Sequence, residues 1–341
     1  MALLATILGC SGLKLTPGEI AFFRDAQPWA FILFGRNIDT PNQLRALCQN
    51  LREAVGRDAP IFIDQEGGRV QRLRPPHWDH YRPARDYADI FTLDPEAGQR
   101  ATYLHMRLIA DDLRQVGITA NCAPVLDIPV AGADDIISDR AYGDTPQSVI
   151  PLAHAAMAGL MTGGVAPVIK HIPGHGRATV DSHKALPVIK ASALTLGHTD
   201  FVPFEAFHDA PMAMTAHAIY EAIDSERPIT ISKQGISQLI RKKFGFDGLL
   251  MSDDLDMKAL SGSLTSRTEA CLTAGCDIAL QCSGQLPDMV QIAKGAKHLA
   301  GDALRRAELA EQTISKPLKL DRDAAQKELE AIFAARDEIM T

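Results

Sequence analysis

The chain has 341 residues, 46% of them hydrophobic and 23% charged, enough for one large α/β barrel or two ordinary domains. Its net charge of −7, from 35 basic and 42 acidic residues without a basic run, argues against nucleic acid or an anionic membrane as a partner. No apolar stretch approaches the roughly 20 residues that a bilayer span requires.

Residues 2–9 are apolar and end in Ile7-Leu8-Gly9-Cys10, a loose match to a lipoprotein cleavage box. The segment lacks the basic start and longer apolar run of a signal peptide, so it reads as the first strand of a cytoplasmic protein. Cys10, Cys48, Cys122, Cys271, Cys276 and Cys282 show no CxxC or metal-ligand spacing and read as buried, reduced thiols. Further short apolar runs predict strands at residues 30–34, 60–63, 118–123, 165–169, 212–215, 249–251 and 278–280, making eight with residues 4–8.

Helical patterns separate these runs. Thr16-Pro17-Gly18-Glu19 is a capping box with proline at the first helical position, and Thr40-Pro41 opens a helix with Leu44, Leu47, Cys48, Leu51 and Val55 on one face. Asp94-Pro95 and Thr145-Pro146 repeat the cap-plus-proline start, the former before a stripe of Leu104, Leu108 and Ile109. Ser232 caps a segment carrying Ile236, Leu239 and Ile240, and helices are expected over 264–274 and 286–299. A last helix over 321–340, with Leu329, Ile332, Phe333 and Ile339 at helical spacing, is expected to pack outside the rest. No linker, low-complexity tract or second run of strands interrupts the alternation. The pattern predicts a single-domain (β/α)8 barrel over residues 1–341 with an extra C-terminal helix; a doubly wound sheet of eight strands is the alternative.

In such a barrel, chemistry gathers at the carboxyl ends of the strands. Strand three ends in Asp64, followed by Gln-Glu-Gly-Gly-Arg-Val-Gln-Arg through Arg72. Strand four runs to Asp127 and its loop carries Asp139-Arg140; strand five ends at Lys170-His171, strand six at His217, and strand seven at Ser252-Asp253-Asp254. The densest stretch, KHIPGHGRATVDSHKALP from Lys170 to Pro187, follows a buried strand, and its 170–184 loop carries several glycines and is expected to move. Asp253 either faces that pocket or caps the following helix. Asp181 and His183 share a face if their loop is extended, so the carboxylate can orient and charge-stabilise the imidazole; a loop contact without consequence is the other reading. Asp64, Arg72, Arg140 and Lys170 form either structural ion pairs or a fork of donors and acceptors for sugar hydroxyls. His171, His175, Asp181 and His183 offer a zinc alternative, without an HExxH motif or a cysteine pair to support it. Gly174-His175-Gly176 is not a nucleotide loop, because Thr179 stands where GxGxxG needs its third glycine.

KHIPGHG, then DSH, then SDDLDM on the seventh strand, with DQEGGRVQR on the third, resembles family 3 of the glycoside hydrolases, and within it the single-domain β-N-acetylglucosaminidases of bacterial peptidoglycan recycling. The resemblance implies Asp253 as the nucleophile of a retaining reaction, His183 as acid/base and Asp181 as its partner. It implies sugar binding by Asp64, Arg72, Arg140, Lys170 and His171. It further implies a muropeptide sugar as substrate, no metal or other cofactor, no nucleic-acid or membrane partner, and a cytoplasmic monomer. Ile172 replaces the usual phenylalanine of KHFPGHG and Asp256 stands where serine is common; neither touches a proposed catalytic role. Another family 3 specificity (a β-glucosidase or a glycosyl phosphorylase), a metal-dependent barrel hydrolase and a non-catalytic sugar-binding protein are the alternatives.

Overall fold

A computed structural model describes residues 2–182 and 184–340. Twelve strands among these residues, β1 (Leu4–Leu8), β2 (Pro28–Leu33), β3 (Ile61–Ile63), β4 (Ala120–Asn121), β5 (Ala166–Pro167), β6 (Ile169–Ile172), β7 (Val188–Ile189), β8 (Met212–Thr215), β9 (Ile219–Tyr220), β10 (Asp224–Pro228), β11 (Leu249–Asp254) and β12 (Ile278–Gln281), form two sheets. The larger is parallel, in the order β5-β4-β3-β2-β1-β12-β11-β8-β6. Its two terminal strands are consecutive in the chain and meet at Val168, so β5 and β6 are two pieces of one stave and the sheet closes into an eight-staved barrel. Proline explains the break. Pro124 and Pro167 have no N–H to give, so the ladder between β4 and β5 is short, and Val168 donates to both Asn121 O and Ala123 O instead (3.0 and 3.1 Å).

The staves alternate as a pleated strand must. Ile7, Ile32, Phe62, Val168, Met212, Met214, Leu249, Met251, Ile278 and Leu280 fill the barrel interior. Leu8, Phe31, Leu33, Ile61, Ile63, Ala213 and Leu250 face the surrounding helices. All eight expected strands are present, 4–8 and 212–215 with the same bounds.

The helices follow α1 (Pro17–Ala26), α2 (Pro41–Val55), α3 (Ala84–Leu93), α4 (Pro95–Gln115), α5 (Pro146–Thr162), α6 (Ala193–His198), α7 (Phe201–Ala206), α8 (Leu264–Ala274), α9 (Leu286–Gly295), α10 (Gly301–Gln312) and α11 (Arg322–Met340), with a π-type helix over Gly235–Lys243. The Thr16–Glu19 capping box forms, Thr40 accepts from Gln43 N, and Asp94 accepts from Glu96 N and Ala97 N. Thr145 makes no such cap bond. Ser232 Oγ accepts from Gly235 N (2.9 Å). The helix expected over 286–299 ends at Gly295 as α9, and α3 and α10 are helices that the periodicity did not reveal. α11 packs against α3 and α4 on the outside of the ring; Leu329 and Phe333 are buried, whereas Ile339 is exposed.

The smaller sheet, β10-β9-β7, was not expected. Its strands are two to five residues long, below what alternation can reveal. Its place matters: β7 receives the chain as it leaves the 170–187 stretch and pairs in parallel with β9, just beyond His217.

Candidate active site

The interior parity of each stave continues past its end. Phe62 points inward, and so does Asp64 two residues on; Val168 leads to Lys170, and Met251 to Asp253. These three charged groups line one cavity of about 170 Å³ at the carboxyl end of the barrel, together with Arg72, Arg140, His171, His175, Ser182 and Asp254. Phe34, Met214, Leu280 and Cys282 give it apolar wall. All five residues expected to bind sugar therefore meet around one space.

The turn after β3 shows how the sequence achieves this. Gln65 exchanges hydrogen bonds with Asn121 on β4 (3.0 and 2.8 Å), and its Oε1 accepts from Arg72 N and Leu73 N (2.8 and 3.0 Å). The chain must double back between them, and Gly67 permits it: φ is +101°, and a Cβ there would lie 2.4 Å from Arg82 O. Arg72 is thereby returned beside Asp64, with Nη2 3.2 Å from Oδ2.

Lys170 Nζ sits 3.0 Å from Asp64 Oδ1 and 2.6 Å from Glu66 Oε1, and is 2% exposed. Arg140, delivered by a short 3-10 turn over Ser138–Arg140, grips Glu66 with Nε and Nη2, both at 2.8 Å. Burial pushes the Asp64 and Glu66 carboxyls up, but Lys170 with Arg72 and Arg140 with Lys170 outweigh it. Asp64 is held well below the carboxylate range and Glu66 at about 2. The same carboxylates outweigh burial at Lys170 and raise its pKa. The ion-pair reading open from sequence is therefore met, and Asp64, Arg72, Arg140 and Lys170 also line the cavity.

Asp127, fully buried, orients the next group. Its Oδ2 lies 2.6 Å from His171 Nδ1, and its Oδ1 accepts from the backbone N–H of His171 and of His175 (3.1 and 2.6 Å). The His171 and His175 rings meet edge to face at 5.7 Å. Burial, then the neighbouring His171, lowers His175 to about 4, so its ring is neutral; the residue lines the cavity, and both its nitrogens are buried without a hydrogen-bond partner among the described residues. Gly176 passes so close to β4's loop that a Cβ would fall 1.9 Å from Ile128 O, and Tyr220 OH donates to Gly174 O. Arg177 Nε pairs with buried Asp200 Oδ2 at 2.7 Å. The first half of the 170–187 stretch is thus tied to β9 and to two neighbouring loops.

Asp181 sits further along, its carbonyl accepting from the N–H of Lys184 and Ala185 (2.9 and 3.1 Å) and its carboxylate 3.6 Å from Lys184 Nζ. His183, the expected acid/base, lies outside the described residues. Asp253 Oδ1 accepts from Asp254 N (2.8 Å). Asp254 Oδ1 accepts from Asp256 N and Cys282 N (3.1 and 3.0 Å). Burial first, then the Asp256 carboxylate, pushes Asp254 up to about 7. The register of β11 against β12 shifts between Met251 and Asp254, a bulge that lets adjacent aspartates both reach the mouth. Among the described residues no group of three or more His, Cys, Asp and Glu side chains is gathered as a metal site, and no described helix is long and apolar enough to cross a membrane.

Sequence reasoning overlooked Glu66, the hub between Lys170 and Arg140. The signal was available: Glu66 stands two residues beyond Asp64, on the same parity as the inward face of β3. It also gave Asp127 no role, because the backbone amides that Asp127 satisfies are silent in a sequence.

Residues 23–316 match the glycosyl hydrolase family 3 N-terminal domain. The chain is 36% identical over 287 residues to a β-hexosaminidase of Thiobacillus denitrificans, covering 83% of this chain and 79% of that one. It is 37% identical over 281 residues to a β-hexosaminidase of Alkalilimnicola ehrlichii, with 81% and 80% covered. Among solved structures it resembles NagZ from Neisseria gonorrhoeae in complex with N-trifluoroacetyl-D-glucosamine, with a TM-score of 0.87, 29% identity, and 98% and 99% of the two chains covered. A family 3 β-N-acetylglucosaminidase from Paenibacillus sp. gives a TM-score of 0.85 at 26% identity; 96% of this chain corresponds to 66% of that one. The chain belongs to glycosyl hydrolase family 3. Within that family it is a glycoside hydrolase of the β-hexosaminidase type.

Proposed function

We propose that the protein is a retaining exo-β-N-acetylglucosaminidase that removes terminal N-acetylglucosamine from peptidoglycan fragments in the cytoplasm. The observation that carries the reading is the inward convergence of Asp64, Lys170 and Asp253 on one small cavity. A pocket of about 170 Å³, closed below by the barrel interior, suits one terminal sugar better than the middle of a chain. Lys170, Arg72 and Arg140 present fixed donors, and Asp64 a fixed acceptor, which is what a ring of vicinal hydroxyls requires. His171, held by Asp127, adds a further group to that wall.

In this reading the Asp253 carboxylate attacks the anomeric carbon while the bond to the leaving oxygen breaks. His183, oriented by Asp181, gives that oxygen its proton. A neutral His183 then takes a proton from water, whose oxygen displaces Asp253 from the anomeric carbon. An imidazole in place of the usual second carboxyl has an unperturbed pKa of about 6.5, suited to giving and regaining a proton near neutral pH. The N-acetyl preference is supported by the β-hexosaminidase relatives and by the N-trifluoroacetyl-glucosamine bound to the gonococcal protein, and the peptidoglycan source by the resemblance of the KHIPGHG, DSH and SDDLDM motifs alone.

The test is turnover of 4-nitrophenyl N-acetyl-β-D-glucosaminide beside the matching glucoside, by wild type and Asp253→Ala. Turnover of the N-acetyl substrate, lost in the variant, is expected. Preference for the glucoside would keep the family and discard the cell-wall role. EDTA-sensitive activity on esters or amides with no glycoside turnover would favour a metal-dependent hydrolase.

A further inference from the structure

One buried group at the mouth has no part in that reaction. His217, beyond the end of β8, is wholly buried. Its Nε2 lies 3.0 Å from the carbonyl oxygen of Asp254, and its Nδ1 lies 2.7 Å from Thr230 Oγ1, itself 2.8 Å from Thr215 Oγ1. A carbonyl oxygen only accepts, so Nε2 carries the ring proton. Burial outweighs the attraction of Asp253 and keeps the ring neutral, which leaves Nδ1 as an acceptor. Thr230 has a single hydroxyl proton. Nδ1 at 2.7 Å claims it over Ala216 O at 3.1 Å, and Thr215 then donates to Thr230. The relay runs one way, from Thr215 through Thr230 and His217 to Asp254.

Residue 254 is where the relay meets the chemistry. Its carbonyl also accepts from Met257 N (3.1 Å), its carboxylate from Asp256 N and Cys282 N, and its own N–H donates to Asp253 Oδ1 at 2.8 Å. The aim of the Asp253 carboxylate therefore depends on how residue 254 is held, at a bulge where the register of the β-ladder slips. The sugar-binding cluster hangs from β3, β6 and the 138–140 turn instead.

We propose that His217 is a positioning residue for the nucleophile, fixing residue 254 so that its amide aims the Asp253 carboxylate at the anomeric carbon. The proposal rests on Asp253 being the nucleophile. It predicts a defect in rate and not in binding.

Two near-isosteric substitutions separate positioning from bulk stability. The amide nitrogen of His217→Gln falls where Nε2 lies and keeps the donor to Asp254; that of His217→Asn falls near Nδ1 and loses it. Steady-state turnover of 4-nitrophenyl N-acetyl-β-D-glucosaminide and Tm are measured for wild type, both variants and Asp253→Ala. The Asn variant is expected to lose on the order of 10²-fold in kcat with KM within about two-fold, and the Gln variant to recover most of it. Equal losses in Gln and Asn, or a loss confined to KM, would overturn the proposal. If either variant fails to fold, Thr230→Val against Thr230→Ser asks the same question. Valine removes the hydroxyl that orients the ring through Nδ1 and serine keeps it, so kcat should fall with valine and hold with serine; equal kcat would overturn the relay. An active Asp253→Ala would remove the nucleophile reading and the proposal with it, whereas a dead Asp253→Ala with no Gln–Asn difference would remove the proposal alone.

Discussion

The two sides of the barrel mouth are built by different means. On the β3–β6 side, Asp64, Glu66, Arg72, Arg140 and Lys170 fix one another as ions in a largely buried wall. On the β8–β11 side, the bonds that set residues 252–254 come from backbone amides, two threonine hydroxyls and a buried imidazole. The contrast fits the two tasks proposed for these sides. Groups that bind a neutral sugar can be locked by mutual charge, because their charge is not consumed. A carboxylate that must form a bond is better aimed by dipoles, which orient it without neutralising it.

The comparison breaks most visibly at Lys170. Replacing it with methionine leaves two carboxylates in a buried wall with one cation fewer, and removing one partner of such a pair costs about 3–5 kcal/mol. Lys170→Met should therefore lower both stability and activity, measured by urea unfolding and turnover. Loss of activity at full stability would mean that the cluster is not mutually supporting. Glu66→Gln should follow in the same direction with a smaller effect, since Arg140 keeps an acceptor.

Proton linkage sharpens the contrast, because the two sides carry opposite signs. Glu66 is held at about 2 against an ordinary 4.5, so the stability it contributes is complete above 4.5 and is lost as pH falls through about 2. Asp254 is raised to about 7 against an ordinary 3.8, so its contribution is complete below 3.8 and is lost as pH rises through about 7. Asp254→Asn removes the second dependence. The Tm of the variant minus that of wild type should climb between about pH 5 and pH 8; a flat difference would contradict the raised carboxyl.

The smallest expected effect lies between the two sides. Tyr220→Phe removes the hydroxyl that holds Gly174 O, a loss of about 1 kcal/mol by the usual worth of one hydrogen bond. If that bond aligns the 170–187 stretch, kcat should fall by more than stability alone explains, readable as turnover of fully folded protein.

Much of this was legible without coordinates, for reasons that are local. Cap-plus-proline starts at Thr16, Thr40 and Asp94 act within one turn, and they formed. Alternation along 212–215 and 249–251 is a property of the strand itself. The strand-end rule of such barrels is why Asp64, Lys170 and Asp253 could be placed at one mouth, and the alternation carried two residues further is what turns them inward. What stayed hidden depends on distant partners. The split of the fifth stave at Val168 follows from two prolines more than 40 residues apart, Pro124 and Pro167. Strands as short as β7 and β9 carry too few residues for a period, and Asp127 acts through amides that every residue has. Glu66 was missed for a different reason: its parity was visible, but the turn at Gly67 made the segment look like loop.

The most direct test of the account concerns the covalent step. A fluorinated N-acetylglucosaminyl donor with a good leaving group, chosen so that the second step is slow, should add one sugar mass to the intact protein. Fragmentation of the labelled peptide should place that mass on Asp253. No adduct together with an inverted first product, or an adduct on any other residue, would contradict the role assigned to Asp253 and to the side of the mouth that aims it.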